Sequence, residues 1–133
     1  MPFLAESFDM VLCCQVLEHL EFSAFEESLL EIKRVLKKNG SLILSLPDLQ
    51  RLYKCLFQIP KLGEIRLFIE IWVPEFLKRE WKYNGEHYWN IANKTFPLKK
   101  VRKVIFGVGF LAKNEYRVFE LPWHRFFVLD VSS

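Results

Sequence analysis

The sequence predicts an α/β fold: a βαβ unit, a helical insertion, a further helix and a C-terminal antiparallel hairpin. Three observations carry this. Residues 10–14 and 42–46 are short apolar runs bounded by polar residues. They are too short for helices and suit strands of a parallel sheet covered on both faces. Between them Phe25, Leu29, Ile32 and Leu36 are spaced four, three and four apart, the period of an amphipathic helix. Near the end of the chain, Phe126-Phe127-Val128-Leu129 reads as another buried strand, behind the turn-prone Leu121-Pro122-Trp123-His124.

The first helix has marked ends. Ser23 and Glu26 fit a capping box, each side chain answering a backbone N–H of the first turn. Lys37 and Lys38 suit the negative end of the helix dipole, and Gly40 suits a stop. Two parallel strands joined this way form a right-handed crossover. Residues 15–22 read as a loop or short turn. Asp48 follows the second strand, either capping a helix that begins near Leu49 or standing near a ligand opening. Residues 49–57 read as helical, with Arg51 and Lys54 on the polar side. Residues 60–63 break that helix. Residues 64–77 read as a second, strongly apolar helix carrying Ile65, Phe68, Ile69, Trp72, Val73 and Phe76, distorted at Pro74.

Residues 79–93 mix Trp81, Tyr83, His87, Tyr88 and Trp89 with polar residues. So many aromatics are costly to leave in water, so this loop is expected to fold against the body. Thr95 suits an N-cap with Pro97 in the first turn. Leu98, Val101, Val104 and Ile105 give the next helix an apolar stripe. Lys99, Lys100, Arg102 and Lys103 lie opposite, a solvated face or a patch for an anionic partner. Gly107 and Gly109 end that helix. Residues 115–120 and 125–131 read as the two strands of the closing hairpin.

A chain of 133 residues is long enough for one domain with a core of its own. A formal charge of +3 is too small to argue for a nucleic-acid partner. Three cysteines, Cys13, Cys14 and Cys55, show no metal-ligand spacing. Cys13 and Cys14 are adjacent in a strand and face opposite ways, which disfavours a bridge. An odd number of thiols in apolar context suggests a reducing, cytoplasmic setting. No signal peptide is apparent. The most apolar later run is broken by Arg66 and Glu70, so no membrane span is expected.

The order Phe3, Ser7-Phe8-Asp9, strand, Val16-Leu17-Glu18-His19-Leu20, Ile32-Lys33-Arg34-Val35-Leu36-Lys37, Asn39-Gly40, Ser45-Leu46-Pro47 resembles class I S-adenosylmethionine-dependent methyltransferases. More narrowly it is similar to their small-molecule type 11 branch, with Asn39-Gly40 in place of the common Gly-Gly. Met1 reads either as a start or as an internal position where the family often has Leu before Pro-Phe. The resemblance implies a partial Rossmann-like methyltransferase sheet whose last strand is inserted antiparallel. It also implies S-adenosylmethionine as cofactor and a small-molecule acceptor. The family's Gly-rich loop and ribose-binding carboxylate have no counterpart among these residues, which hold only five glycines. The chain therefore reads as the C-terminal portion of one methyltransferase domain, residues 1–133, with a helical and aromatic insertion at about 49–94. The alternative is a degenerate relative acting as a non-catalytic partner or scaffold. Without the family's first strand, the strand at 10–15 is expected to expose an edge and to favour self-association.

The resemblance puts Cys14, Gln15 and His19 at the crevice beyond the first strand. Cys14 is a cofactor-side candidate or simply a small hydrophobe. Gln15 is a donor to the cofactor or to a loop carbonyl. His19 is a base toward a substrate hydroxyl or a loop-orienting hydrogen-bond partner. His87 lies in Glu86-His87-Tyr88-Trp89, similar to the branch's substrate-facing Glu-His segment, and is the second acid–base candidate. Glu18 reads as a cap or a solvent-facing partner, with a catalytic carboxylate as the alternative. No metal site is expected: a zinc site from Cys14, His19 and His87 lacks paired ligand spacing.

Overall fold

A computed structural model describes residues 2–71 and 73–132. The expectations for Met1 and Trp72 lie outside the described residues. Strand β1 (Phe8–Cys14) leads through two short 3₁₀ turns (Leu17–His19 and Phe22–Ala24) into helix α1 (Phe25–Val35). Strand β2 (Leu36–Pro47) follows, then strands β3 (Leu52–Ile59) and β4 (Gly63–Glu70). Another 3₁₀ turn (Glu75–Leu77) and an irregular stretch precede helix α2 (Leu98–Gly107) and strands β5 (Phe110–Tyr116) and β6 (His124–Val131).

The main sheet has the order β1-β2-β6-β5. β1 and β2 are parallel, as two strands joined by a crossover helix must be. β6 runs antiparallel between β2 and β5. Helices α1 and α2 share one core with the sheet. Phe25, Leu29 and Ile32 meet Leu42, Leu44 and Leu46, with Val101, Ile105, Phe127 and Leu129 completing the cluster. The helical spacing read from the sequence is thus the buried face of α1.

Cover on the far side of β1 is missing. Cys13 is buried, whereas Met10 is 55% and Leu12 67% exposed. The apolar run predicted a strand covered on both faces. It is covered on one, because α1 and α2 pack on one face and only β2 pairs with β1 among the described residues.

Several local expectations are corrected. The capping box does not form: Ser23 lies in a 3₁₀ turn, donates to Glu21, and leaves Ala24 at the N-cap without a side-chain bond. α1 ends at Val35, so Lys33 and Arg34 occupy its last turn. Lys37, Lys38 and Gly40 belong to β2. Gly40 serves close approach instead of helix termination: a Cβ there would meet Leu36 Cδ2 and Lys37 O at 3.0 Å and Asp9 O at 3.2 Å. The β1–β2 register shifts at this point, between Phe8 and Met10. Thr95 does not cap α2; its Oγ1 accepts from Trp81 N, and Pro97 is the N-cap.

The largest correction concerns residues 49–77. Both expected helices are absent, and β3 and β4 form a two-stranded antiparallel hairpin. Tyr53, Cys55 and Phe57 stand opposite Ile69, Leu67 and Ile65. These side chains share one face because strand residues alternate. The last hairpin is also displaced. β5 ends at Tyr116, and residues 117–120 leave the sheet, with Arg117 drawn to Asp48 instead.

Candidate functional site

The carboxyl ends of β1 and β2 and the amino end of β6 come together, since Pro47 stands in register with His124. In an open α/β sheet this is where ligands bind. Gln15 follows β1 with φ of 56°, a left-handed conformation unusual for a residue bearing a Cβ. It turns the chain out of the sheet and into the Leu17–His19 turn. Cys14 and Gln15 are both exposed at this end, beside the unpaired edge.

The aromatic loop folds back onto this turn. Tyr88 N donates to Glu18 O at 2.8 Å, and Trp89 Nε1 donates to Leu20 O at 3.1 Å. Trp89 is fully buried among Phe22, Phe25 and Phe96. The expectation that the aromatic loop packs inward holds for Trp89; Trp81 and His87 are half-buried, and Tyr83 and Tyr88 stay exposed. Asn84 Oδ1 accepts from Glu86 N and His87 N, holding the tight bend that presents His87. Ile91 N donates to Pro47 O, so the loop is tied to the end of β2 as well. Just past Asn90, Ala92 and Asn93 line a cavity of about 270 Å³ with Leu49, Gln50 and Arg51.

The result brings His19 and His87 into contact, with ring centroids 4.9 Å apart, edge to face. His19 Nδ1 lies 2.9 Å from Glu86 O, and His87 Nδ1 lies 3.1 Å from Asn90 Oδ1. Both acceptors are carbonyl oxygens. A backbone carbonyl can only accept, so His19 Nδ1 carries the proton; with Asn90 placed Oδ1 toward the ring, His87 Nδ1 does too, and each neutral ring keeps a lone pair on Nε2.

Glu18, expected at a cap or in solvent, is buried beneath them. Neither carboxylate oxygen has a hydrogen-bond partner among the described residues. One carboxylate oxygen and one ring nitrogen from each histidine lie within 4.8 Å of one another. Burial raises the Glu18 carboxyl above its ordinary range; its own backbone N–H, His19 and His87 oppose the shift without cancelling it. His124, not singled out from the sequence, is also buried at this end with Nδ1 unpartnered. Burial, then the charge of His87, lowers its pKa.

Cys14 is not part of the Glu18–His19–His87 cluster. Behind β1, burial first, then Cys14 and Glu18, push the Cys13 thiol up to about 11. Asp48 also departs from expectation. It caps no helix, though with Leu52, Arg117 and Trp123 it lines a cavity of about 360 Å³. Its side chain is fully buried, with Oδ1 accepting from Gln50 N and Oδ2 paired to Arg125 and Arg117.

Residues 1–44 match the family model described as "Methyltransferase domain". Among solved structures, the chain is similar to a 1,6-didemethyltoxoflavin-N1-methyltransferase from Burkholderia thailandensis, with TM-score 0.56 and 13% identity. That match covers 97% of this chain and 46% of the other. A methyltransferase from Methanosarcina mazei gives TM-score 0.57 at 14% identity, covering 99% and 63%. One from Mesorhizobium loti gives 0.57 at 10%, covering 98% and 65%. The chain has the fold of class I S-adenosylmethionine-dependent methyltransferases. No curated protein matches the chain by sequence. The chain spans about half to two thirds of the length of these methyltransferase structures. Within the methyltransferase fold, β6 is the antiparallel inserted strand that the resemblance implies.

Proposed function

We propose that this chain takes part in S-adenosylmethionine-dependent methyl transfer to a small-molecule acceptor, as the C-terminal portion of a methyltransferase domain. The observation that supports it is the meeting of His19 and His87 at the carboxyl ends of β1 and β2. The cofactor supplies the electrophile. Once bound, it would give its methyl group to an acceptor lone pair and leave as the neutral thioether. The protein orients the acceptor and takes its proton. Nε2 of His19 or His87 is the proton acceptor in this reading. Cys14 and Gln15, exposed at the end of β1, are the cofactor-side groups. The crystallised Burkholderia relative carries S-adenosylhomocysteine, the demethylated cofactor, which supports the same choice.

The reading extends to surroundings. Three free thiols suit a reducing, cytoplasmic compartment. No helix among the described residues is long and apolar enough to cross a membrane. The small net charge favours a small molecule over nucleic acid as acceptor.

A second reading, a non-catalytic partner or scaffold, draws on the unpaired edge of β1. Kinetics separate the two in an enzyme that joins this segment to a Gly-rich cofactor half. His19→Ala or His87→Ala lowers turnover by a factor of roughly 100 where that residue is the base. Rates within about twofold of the parent for both variants would leave the histidines structural.

A further inference from the structure

Glu18 poses a physical problem. A buried carboxylate with no partner is costly, and folded proteins supply a partner or a metal ion. Around it stand two imidazoles whose Nδ1–H groups are already given to Glu86 O and Asn90 Oδ1. That is the arrangement of metal-binding histidines: a carbonyl fixes the tautomer and aims the remaining lone pair at the ion. One carboxylate and two imidazoles also form a donor set suited to divalent first-row metals, with at least one coordination position open.

We propose that Glu18, His19 and His87 form a binding site for a divalent transition-metal ion, zinc in the first place. Ligands about 2.1 Å from a tetrahedral zinc lie about 3.4 Å from one another. One nitrogen of each ring and one Glu18 oxygen lie within 4.8 Å of one another, so turning the rings and carboxylate by about an ångström at these atoms closes the set around Nε2. The site bridges two distant parts of the chain, the turn after β1 and the aromatic loop. An ion held there would clamp the loop over the end of the sheet. It would also engage the two Nε2 lone pairs that otherwise take a proton. Metal loading and ring-base catalysis therefore exclude one another at these residues. Binding itself requires neither cofactor nor acceptor, so it stands or falls apart from methyl transfer.

Cobalt titration of the whole chain tests the site, because tetrahedral cobalt absorbs in the visible. One equivalent of Co²⁺ should give a saturable visible band that Zn²⁺ abolishes. His19→Ala is the key variant, since the residue is exposed and circular dichroism can verify that the variant folds. It should weaken cobalt binding more than tenfold, and His87→Ala should do the same. Glu18→Gln keeps the shape of the buried side chain and should also weaken it. Cys14→Ser should leave cobalt binding unchanged, since Cys14 is outside the cluster. Three results would each overturn the site: no saturable band up to millimolar cobalt, unchanged binding in folded His19→Ala, or a thiolate-to-cobalt charge-transfer band that Cys14→Ser removes.

Discussion

Arg125 donates from Nε to Asp48 Oδ2 at 2.5 Å, joining β6 to the end of β2 across 77 positions of sequence. The same oxygen lies 2.6 Å from Arg117 Nη2, off the line of its N–H, so that contact is ionic instead of a directed bond. Arg125 continues to Glu115 at 2.8 Å and to Glu70 at 3.2 Å. Glu115 in turn holds Arg102 of α2 in a two-pronged bond. This network fastens the β3–β4 hairpin to the main sheet. Burial opposes the Arg125 charge, and Asp48, Glu70 and Glu115 outweigh that opposition. Asp48→Ala would leave two buried guanidinium groups short of a counter-charge. It should cost about 3–5 kcal/mol in urea unfolding, the range for breaking a buried pair from one side. A loss below about 1 kcal/mol, the range of surface pairs, would mean the network is effectively solvated.

His124 makes stability fall in mild acid. Burial and the charge of His87 lower its pKa in the fold below the unfolded value. The fold therefore prefers the neutral ring. Its stabilising effect is present above the ordinary histidine range and is lost as pH falls toward the depressed folded value. Melting temperature should decline with falling pH across and below that range, and His124→Phe should flatten the decline. An unchanged slope in the variant would assign the pH dependence to other groups.

The sequence revealed the βαβ unit because its signals are local: apolar runs of strand length and a helix stripe between them. It was less informative where two patterns compete. Ile65, Leu67 and Ile69 alternate as a strand face, yet Ile65, Phe68 and Ile69 also fit a helix. The partner strand settled the choice, through Tyr53 opposite Ile69 and Phe57 opposite Ile65. The site divides in the same way. His19 and His87 were legible as chemistry, and the fold brings them together. Glu18 was not, because its burial depends on a loop some seventy positions away that packs Tyr88 and Trp89 over the turn. Asp48 looked like a cap because its charge partners, Arg117 and Arg125, lie far along the chain.

The three thiols should differ in reactivity. Cys14 is exposed, Cys55 is half-buried, and Cys13 is buried with its thiol raised to about 11. Only the thiolate is a good nucleophile, so a buried thiol with a raised pKa is doubly protected. Iodoacetamide at pH 8 should label Cys14 first and Cys55 more slowly. Cys13 should react only after unfolding, as peptide mass mapping over time can follow. Early labelling of Cys13 would show that β1 opens on the timescale of the reaction.

That question of β1 bears on the whole chain. β1 pairs with β2 on one side and with no described strand on the other. Its free edge presents unpaired backbone N–H and C=O groups. Met10, Leu12 and Val16 leave apolar surface beside that edge at least half exposed. A flat edge flanked by apolar side chains is a template for pairing with another strand. The isolated chain should therefore self-associate, with apparent mass rising with concentration in static light scattering. A charge on an edge strand discourages such pairing, because a partner strand would have to bury it. Leu12→Lys should therefore shift the chain toward monomer. It should leave the fold intact, since Leu12 faces away from the core that Cys13 enters. A parent chain that is monodisperse, monomeric and cooperatively melting at every concentration tested would refute the edge as an association surface. It would also remove the support this edge gives to the reading of the chain as the C-terminal portion of a larger sheet.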